Sequence, residues 1–272
     1  MSPSAVAAPE VAAPTHLDLP LLNEGGPTQW ANLGDWSTAT TYPDAARALA
    51  VRLGTAAGLH PGQRIADVGV GAGEQLLVWL TQFGVQHISA SDRSAALVAA
   101  ATRRVVAAGH GAGATVVAAA ASALTLTLPP QSVDRVLALD AAYHFADRPG
   151  FFRRAAAALR PSGRLALTDL VSETPPTRTL RAMARLSGIP VANLLTTAAY
   201  TGVLERAGFT DVRTEDLTTA VLAGFARWAR AQRWSHVRRA QFAVPLTGVM
   251  AESLVRDGQV RYVLVTASVV AR

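Results

Sequence analysis

Three glycines at alternate positions, Gly69, Gly71 and Gly73, stand between Ile65-Ala66-Asp67-Val68 and Gln75-Leu76-Leu77-Val78-Trp79-Leu80. The β-branched upstream run suits a buried strand, and the downstream run continues with helical character. Glycine lets a backbone approach a ligand that any side chain would push away. A strand, a glycine turn and a helix N-terminus together make a cradle for a nucleotide-like ligand; an ordinary strand-to-helix turn would use the same residues. A second acid, Asp92, ends Gln86-His87-Ile88-Ser89-Ala90-Ser91 roughly 20 residues past the glycines. There a carboxylate can accept hydrogen bonds from both hydroxyls of a ribose, or cap the helix that Arg93-Ser94 opens. Farther on, Asp140-Ala141-Ala142-Tyr143-His144-Phe145 follows the run Val133 to Leu139, and Asp169 ends Leu165-Ala166-Leu167-Thr168. A histidine near neutrality can take a proton from a hydroxyl, and an aspartate can fix its tautomer or stabilise the imidazolium. The same two residues could instead be a structural histidine and a loop carboxylate capping an amide.

The elements that must hold these residues read as repeated β/α alternation. A first helix is expected from about Asp44 to Leu53, with Thr40 or Thr41 as cap and Pro43 near its first turn. It breaks at Gly58-Leu59-His60-Pro61-Gly62. Strands are expected at Arg64 to Val68, His87 to Ala90, Thr115 to Ala119, Arg135 to Leu139 and Arg164 to Thr168, with a helix from Phe151 to Leu159. Such alternation predicts an α/β fold with a parallel, doubly wound sheet whose strand C-termini share one ligand face. Ser172 to Tyr200 departs from the pattern, with Pro175-Pro176, a helical stretch from Arg178 to Leu186, and Gly188-Ile189-Pro190. It is either a cap over the site or a longer connection. Two more strands are expected, near Asp211 to Leu217 and from Val260 to Val270. Residues 1–16 read as a disordered Ala/Pro-rich tail, 17–60 as an N-terminal lid or helical segment, and 61–272 as the main domain with its insertion near 172–200.

Composition removes several functions. The chain has 272 residues, no cysteine, and 25 basic residues that are all arginine, so a Schiff-base or P-loop lysine is excluded, as are disulfides and thiolate metal sites. No metal site is expected. No apolar run is long enough to span a membrane. The missing cysteine fits a cytoplasmic location, and the N-terminus lacks the basic and apolar regions of a signal peptide. The net charge of +6 could attract nucleic acid. Its one local cluster, Arg227, Arg230, Arg233, Arg238 and Arg239 interleaved with Trp228 and Trp234, reads more simply as a solvated amphipathic helix. No nucleic-acid-binding motif is present.

The glycine spacing departs from the dinucleotide fingerprint, whose third glycine would fall on Glu74. With Asp67 ahead of it, the loop resembles motif I of the class I S-adenosylmethionine (SAM) dependent methyltransferases, and the resemblance covers most of residues 60–272. It implies a Rossmann-like sheet of about seven strands, the last antiparallel. It implies a cofactor site formed by Asp67, Gly69, Gly71, Gly73, Gln75, Asp92, Arg93 and Asp140, with S-adenosylhomocysteine (SAH) as product. Ser122-Ala123 stand where many relatives carry Asp-Ala against the adenine amine. Ala141-Ala142 replace the two prolines of DNA-base methyltransferases, so the stretch resembles small-molecule enzymes of the sugar, tocopherol, sterol and ubiquinone type. In similar sugar O-methyltransferases a His and an Asp at these positions form the base pair. This assigns His144 and Asp169 to proton removal and Tyr143 to orienting the acceptor. The N-terminal T-x-W-x-N-x-G-x-W block followed by T-Y-P resembles a segment of the same enzymes. Trp30, Trp36 and Tyr42 would then be a lid against a planar acceptor, or anchors of the first helix.

The expected activity is transfer of a methyl group to an O or C nucleophile of a small hydrophobic secondary metabolite, aromatic or heteroaromatic by preference, by a monomer or homodimer without a nucleic-acid partner. A nucleic-acid methyltransferase, a non-catalytic SAM-binding subunit and an NAD(P)-dependent oxidoreductase are the alternatives.

Overall fold

The computed structural model describes residues 22–110, 115–120, 128–232 and 243–270. Helix α1 (Tyr42–Ala57) starts at Thr41, whose hydroxyl accepts the Asp44 amide at 3.3 Å, and stops at Gly58 in the left-handed region (φ 66°). It buries Tyr42, Ala45, Ala46, Leu49, Ala50 and Leu53, the one-sided spacing of an amphipathic helix. The helix runs past the expected end at Leu53, and Gly54 lies under the Phe83 and Trp79 rings, where an added Cβ would come within 2.5 Å of Phe83.

Then follow β1 (Arg64–Val68), α2 (Glu74–Thr81), β2 (His87–Asp92), α3 (Ala95–Ala107), β3 (Thr115–Ala120) and β4 (Val133–Ala138). A 3-10 turn (Ala142–His144) leads to α4 (Arg148–Ala158) and β5 (Leu159–Ser172). The chain continues through α5 (Arg178–Leu186), a second 3-10 turn (Val191–Asn193), α6 (Thr197–Arg206) and β6 (Phe209–Asp216). A π-helical turn (Thr219–Ala223), α7 (Gly224–Ala231), α8 (Ala243–Asp257) and β7 (Val260–Val269) complete it.

The seven strands lie in the order β3-β2-β1-β4-β5-β7-β6. Strands β1 to β5 pair in parallel, and β7 runs antiparallel between β5 and β6. Strand β5 is much longer than the expected Arg164–Thr168 because β7 pairs with it over every residue from Arg164 to Ser172. Alternate residues feed two cores. Leu137, Ala166, Tyr262 and Leu264 face the layer of α1, α2 and α7, whereas Val136, Leu165, Leu167 and Val265 meet Phe151, Phe152, Tyr200 and Phe209 on the other side.

The N-terminal aromatics resolve into two roles. Tyr42 is fully buried, and its hydroxyl donates to the Asn32 carbonyl at 2.6 Å. Trp36 stacks on Trp228 at 5.5 Å, and Tyr42 packs on Trp228 and Phe225. Trp36 and Tyr42 are therefore anchors of the N-terminal segment, each contact adding about 0.5–1.5 kcal/mol beyond simple burial. Trp228 thus turns into the core. Arg233, Trp234, Arg238 and Arg239 lie outside the described residues, as does the 1–16 tail. No helix among the described residues is long and apolar enough to cross a membrane.

Candidate active site

The three glycines do different work. At Gly69 (φ 85°) an added Cβ would lie 2.5 Å from the Ala141 Cβ, so only glycine lets the first turn pack on the loop after β4. At Gly73 (φ 87°) the clash would be 2.7 Å from the Ala101 backbone, which makes it the close contact between loop and α3. At Gly71 (φ 54°) no atom lies within 4 Å. Its open side belongs to a cavity lined by Gln29, Trp30, Asn32, the 69–72 loop, Gln75, Leu139 and Asp140.

Two acids support this loop from different sides. The half-buried Asp92 accepts the Gly71 amide at 3.0 Å and the Ser94 amide at 2.9 Å. It thus ties the end of β2 to the glycine turn while steadying the entry to α3. Asp67 is fully buried and reaches no cavity surface. Gln75 Nε2 donates to its two oxygens at 2.9 and 3.1 Å, and the Trp79 indole N–H at 2.7 Å. Burial raises its pKa from 3.8 to about 6 against these hydrogen bonds. The geometry makes Asp67 a brace beneath the loop, whereas its partner Gln75 also lines the cavity.

Residues 29–33 close the other wall of the cavity as a strap. The Gln29 amide donates to Glu74 at 2.7 Å, and Glu74 is paired with Arg104 at 2.9 Å. The Leu33 amide donates to Asp140 Oδ2 at 2.7 Å, and the Asn23 side chain holds both the amide and the carbonyl of Trp30. Of the three expected lid aromatics, Trp30 alone faces this cavity.

Asp140 joins strap, sheet and loop. It sits in the left-handed region (φ 53°), its amide donates to Thr168 Oγ1, and its Oδ1 accepts two phenols, Tyr143 at 2.6 Å and Tyr262 at 2.9 Å. Burial pushes the Asp140 carboxyl up, and the two phenols pull it back. The Tyr143 hydroxyl is therefore turned inward to Asp140, in a side chain that is itself buried, and is not presented to an acceptor.

His144, the next residue, is exposed. Its Nδ1 lies 3.2 Å from the Gly188 carbonyl, which can only accept; the pairing selects the tautomer with the proton on Nδ1 and leaves Nε2 with its lone pair. Local desolvation lowers its pKa, and the Arg93 cation adds to this, while Gly188 and Asp169 act the other way. Arg93 itself is exposed on the rim and does not line the cavity.

Asp169 does not join His144. It is fully buried and spends its oxygens on Arg148 at 2.7 Å, the Tyr200 hydroxyl at 2.8 Å and the Leu170 amide at 2.8 Å. Neighbouring strands do bring the two residues to the same end of the sheet, but a buried arginine on α4 takes the carboxylate first. Ser122 and Ala123 lie outside the described residues. Among the described residues no group of three or more His, Asp or Glu side chains could hold a metal ion.

A methyltransferase-domain family model matches residues 66–167, from β1 into β5. The chain is 32% identical over 246 residues to a 27-O-demethylrifamycin SV methyltransferase from Amycolatopsis mediterranei, covering 86% of this chain and 88% of that one. The chain belongs to the class I SAM-dependent small-molecule methyltransferases. An erythromycin 3''-O-methyltransferase from Saccharopolyspora erythraea is 31% identical over 203 residues, 71% of this chain and 66% of that one. The fold matches the crystal structure of the [4+2]-cyclase SpnF with a TM-score of 0.73 at 22% identity, covering 93% of this chain and 92% of that one. It also matches a Haemonchus contortus phosphoethanolamine N-methyltransferase with SAM, at a TM-score of 0.69 and 20% identity, over 81% of this chain and 52% of that one.

The methyltransferase uses SAM, and its glycine cradle fits that ligand: Gly71 leaves space where any other residue would place a Cβ, beside the Asp92 carboxylate. Several residues that build this candidate site carry no signal in the sequence. Tyr262 is one alternate position in a β-strand, Arg148 and Asn193 look like surface residues, and Gly188 meets His144 only through its carbonyl. Glu74 had only the signal of breaking the dinucleotide pattern; its carboxylate receives the strap.

Proposed function

We propose that this methyltransferase transfers the methyl group of SAM to a hydroxyl oxygen of a hydrophobic secondary metabolite, with His144 Nε2 as the proton acceptor. The observation that carries the reading is the His144–Gly188 pairing, which leaves Nε2 as a base on an exposed loop immediately after Asp140, a wall of the cavity. The names of the rifamycin- and erythromycin-modifying relatives, both of which point to oxygen, support O- over C-methylation. The preference for an aromatic acceptor keeps only Trp30 as support, because Trp36 and Tyr42 pack on Trp228 rather than on the cavity.

When bound, SAM would supply a methyl group activated by its sulfonium for direct in-line transfer. The 69–72 loop, opened by Gly71, would hold its amino-acid part, Asp92 its ribose hydroxyls, and Gln75 and Asp140 the inner wall. The strap from Gln29 to Leu33 would exclude water, and residues 172–200 would cap the acceptor side. Holding nucleophile and methyl carbon at about 3–3.5 Å is the main task of the protein. His144 Nε2 would take the hydroxyl proton as the acceptor oxygen bonds to the methyl carbon and the methyl–sulfur bond breaks, with SAH as the leaving group.

The test is mass spectrometry of reactions with SAM and a panel of 27-O-demethylrifamycin SV, phenols, indoles, amino sugars and quinols. The expected product is one methyl heavier, with the methyl group on oxygen by its NMR shift. A carbon-bound methyl, or a product unchanged in yield in His144→Ala, would overturn the reading.

A further inference from the structure

The short segment from Gly188 to Asn193 meets the His144 ring at one end and the two residues that flank His144 at the other. The Gly188 carbonyl meets the imidazole Nδ1. Five residues on, the Asn193 side chain, 3% exposed, donates from one amide nitrogen to the carbonyls of Tyr143 at 3.0 Å and Phe145 at 2.8 Å. These carbonyls flank His144 in the chain, so the clamp grips its backbone on both sides. Asn193 is itself fixed, because Arg148 Nη2 donates to its carbonyl at 2.6 Å while Nη1 of the same guanidinium holds Asp169 at 2.7 Å. Tyr200 completes the buried group, its hydroxyl on Asp169 and its ring under the Arg148 cation at 4.8 Å.

We propose that Asn193, anchored by the Arg148–Asp169 pair, is a positioning residue that keeps the His144 ring on the Gly188 carbonyl. The inference rests on His144 being the base, and it gives Asp169 a different task from the one its position suggested. Asp169 acts on His144 through a planar, two-armed guanidinium and an amide, not through a shared proton. Only arginine can span a carboxylate and a carbonyl with two fixed donors in this way. The two amide hydrogens of Asn193 are both used, so a single substitution releases both flanking carbonyls at once.

The experiment uses the full chain, 15N-labelled at histidine and bound to SAH. Imidazole 15N spectra report the tautomer, and the His144 signals are those missing from His144→Ala. The wild-type protein is expected to show a protonated Nδ1 and a bare Nε2. Asn193→Ala is expected to lose that signature for a tautomer-averaged ring while SAH affinity, read by calorimetry, is unchanged. Retention of the wild-type signature in an Asn193→Ala protein that binds SAH would sink the proposal. Should Asn193→Ala fail to bind SAH, Arg148→Lys keeps a cation against Asp169 but cannot also hold the Asn193 carbonyl. It is expected to lose the signature, and its retention there is equally decisive against the clamp. The base assignment fails separately: a fully active His144→Ala would remove it while leaving the tautomer result standing.

Discussion

The Asp169 carboxylate closes on the Arg148 guanidinium at 2.7 Å, with both side chains essentially sealed from solvent. Removing one partner of such a pair strands the other charge in a low-dielectric interior, a loss of about 3–5 kcal/mol. Asp169→Asn is therefore expected to unfold at markedly lower denaturant concentration than the wild type. At a temperature where it stays folded, the midpoint of its rate–pH profile is expected to fall, because the Asp169 charge raises the His144 pKa from a distance without sharing its proton. Chemical denaturation and initial rates against pH check both halves. Unaltered stability would remove the buried pair and restore Asp169 as the direct partner of His144.

His144 predicts the shape of that profile. Desolvation and the Arg93 cation hold its pKa below the ordinary 6.5, so the neutral base persists to lower pH than in a free histidine. The rate is expected to rise with pH through a midpoint below 6.5 and to be flat around neutrality. Arg93→Ala removes a repelling cation and is expected to move the midpoint upward. His144→Ala is expected to lower kcat by about 10²- to 10⁴-fold with SAM affinity unchanged. Steady-state kinetics against pH, together with calorimetric SAM titrations, decide these points.

The glycine loop offers three contrasting substitutions. Gly69→Ala and Gly73→Ala each force a positive-φ alanine into contacts of 2.5 and 2.7 Å, so both are expected to destabilise the fold by more than the roughly 1 kcal/mol of left-handed strain alone. Gly71→Ala meets no protein atom within 4 Å, so it is expected to fold with only that strain. Its methyl group enters the cavity instead, and SAM affinity is expected to fall at least about tenfold, equal to 1.4 kcal/mol. Thermal melts and calorimetry on the three variants separate the roles. A Gly71→Ala protein that binds SAM normally would place the cofactor elsewhere.

Much of this architecture was legible because it rests on local pattern. The β/α alternation and the Thr41 cap carry signals in neighbouring residues, whereas the antiparallel last strand followed from the family resemblance. The long-range partners carry none. Asp169 ends its strand where a base partner belongs, yet whether it meets His144 or Arg148 is decided by how α4 seats a buried arginine, and nothing adjacent to Arg148 announces that. Tyr143 was read as facing an acceptor, but Asp140 bends into the left-handed region and its Oδ1 gathers Tyr143 and Tyr262 from two elements. Trp36 and Tyr42 were equally consistent with lid and anchor; Trp228, nearly 200 positions along the chain, decides it.

Asp67 links the hidden side of the loop to stability. Its carboxyl titrates near 3.8 when unfolded and about 6 in the folded protein, raised chiefly by burial. A raised carboxyl binds its proton more tightly in the folded state, so its contribution is fully present below 3.8 and is lost as pH rises through 6. At neutral pH the folded protein therefore carries a buried carboxylate at a cost of about 3 kcal/mol. Asp67→Asn cannot ionise, and its oxygen can still accept the Trp79 indole N–H while the Gln75 amide turns to accept from the new donor. The variant is expected to be more stable than the wild type by about 2–3 kcal/mol at neutral pH, an advantage that fades toward about pH 4. Urea unfolding at the two pH values measures the difference. The same protein also tests where Asp67 acts: as a brace beneath the loop it predicts SAM affinity close to wild type, whereas a direct cofactor contact predicts a folded, more stable protein that binds SAM poorly.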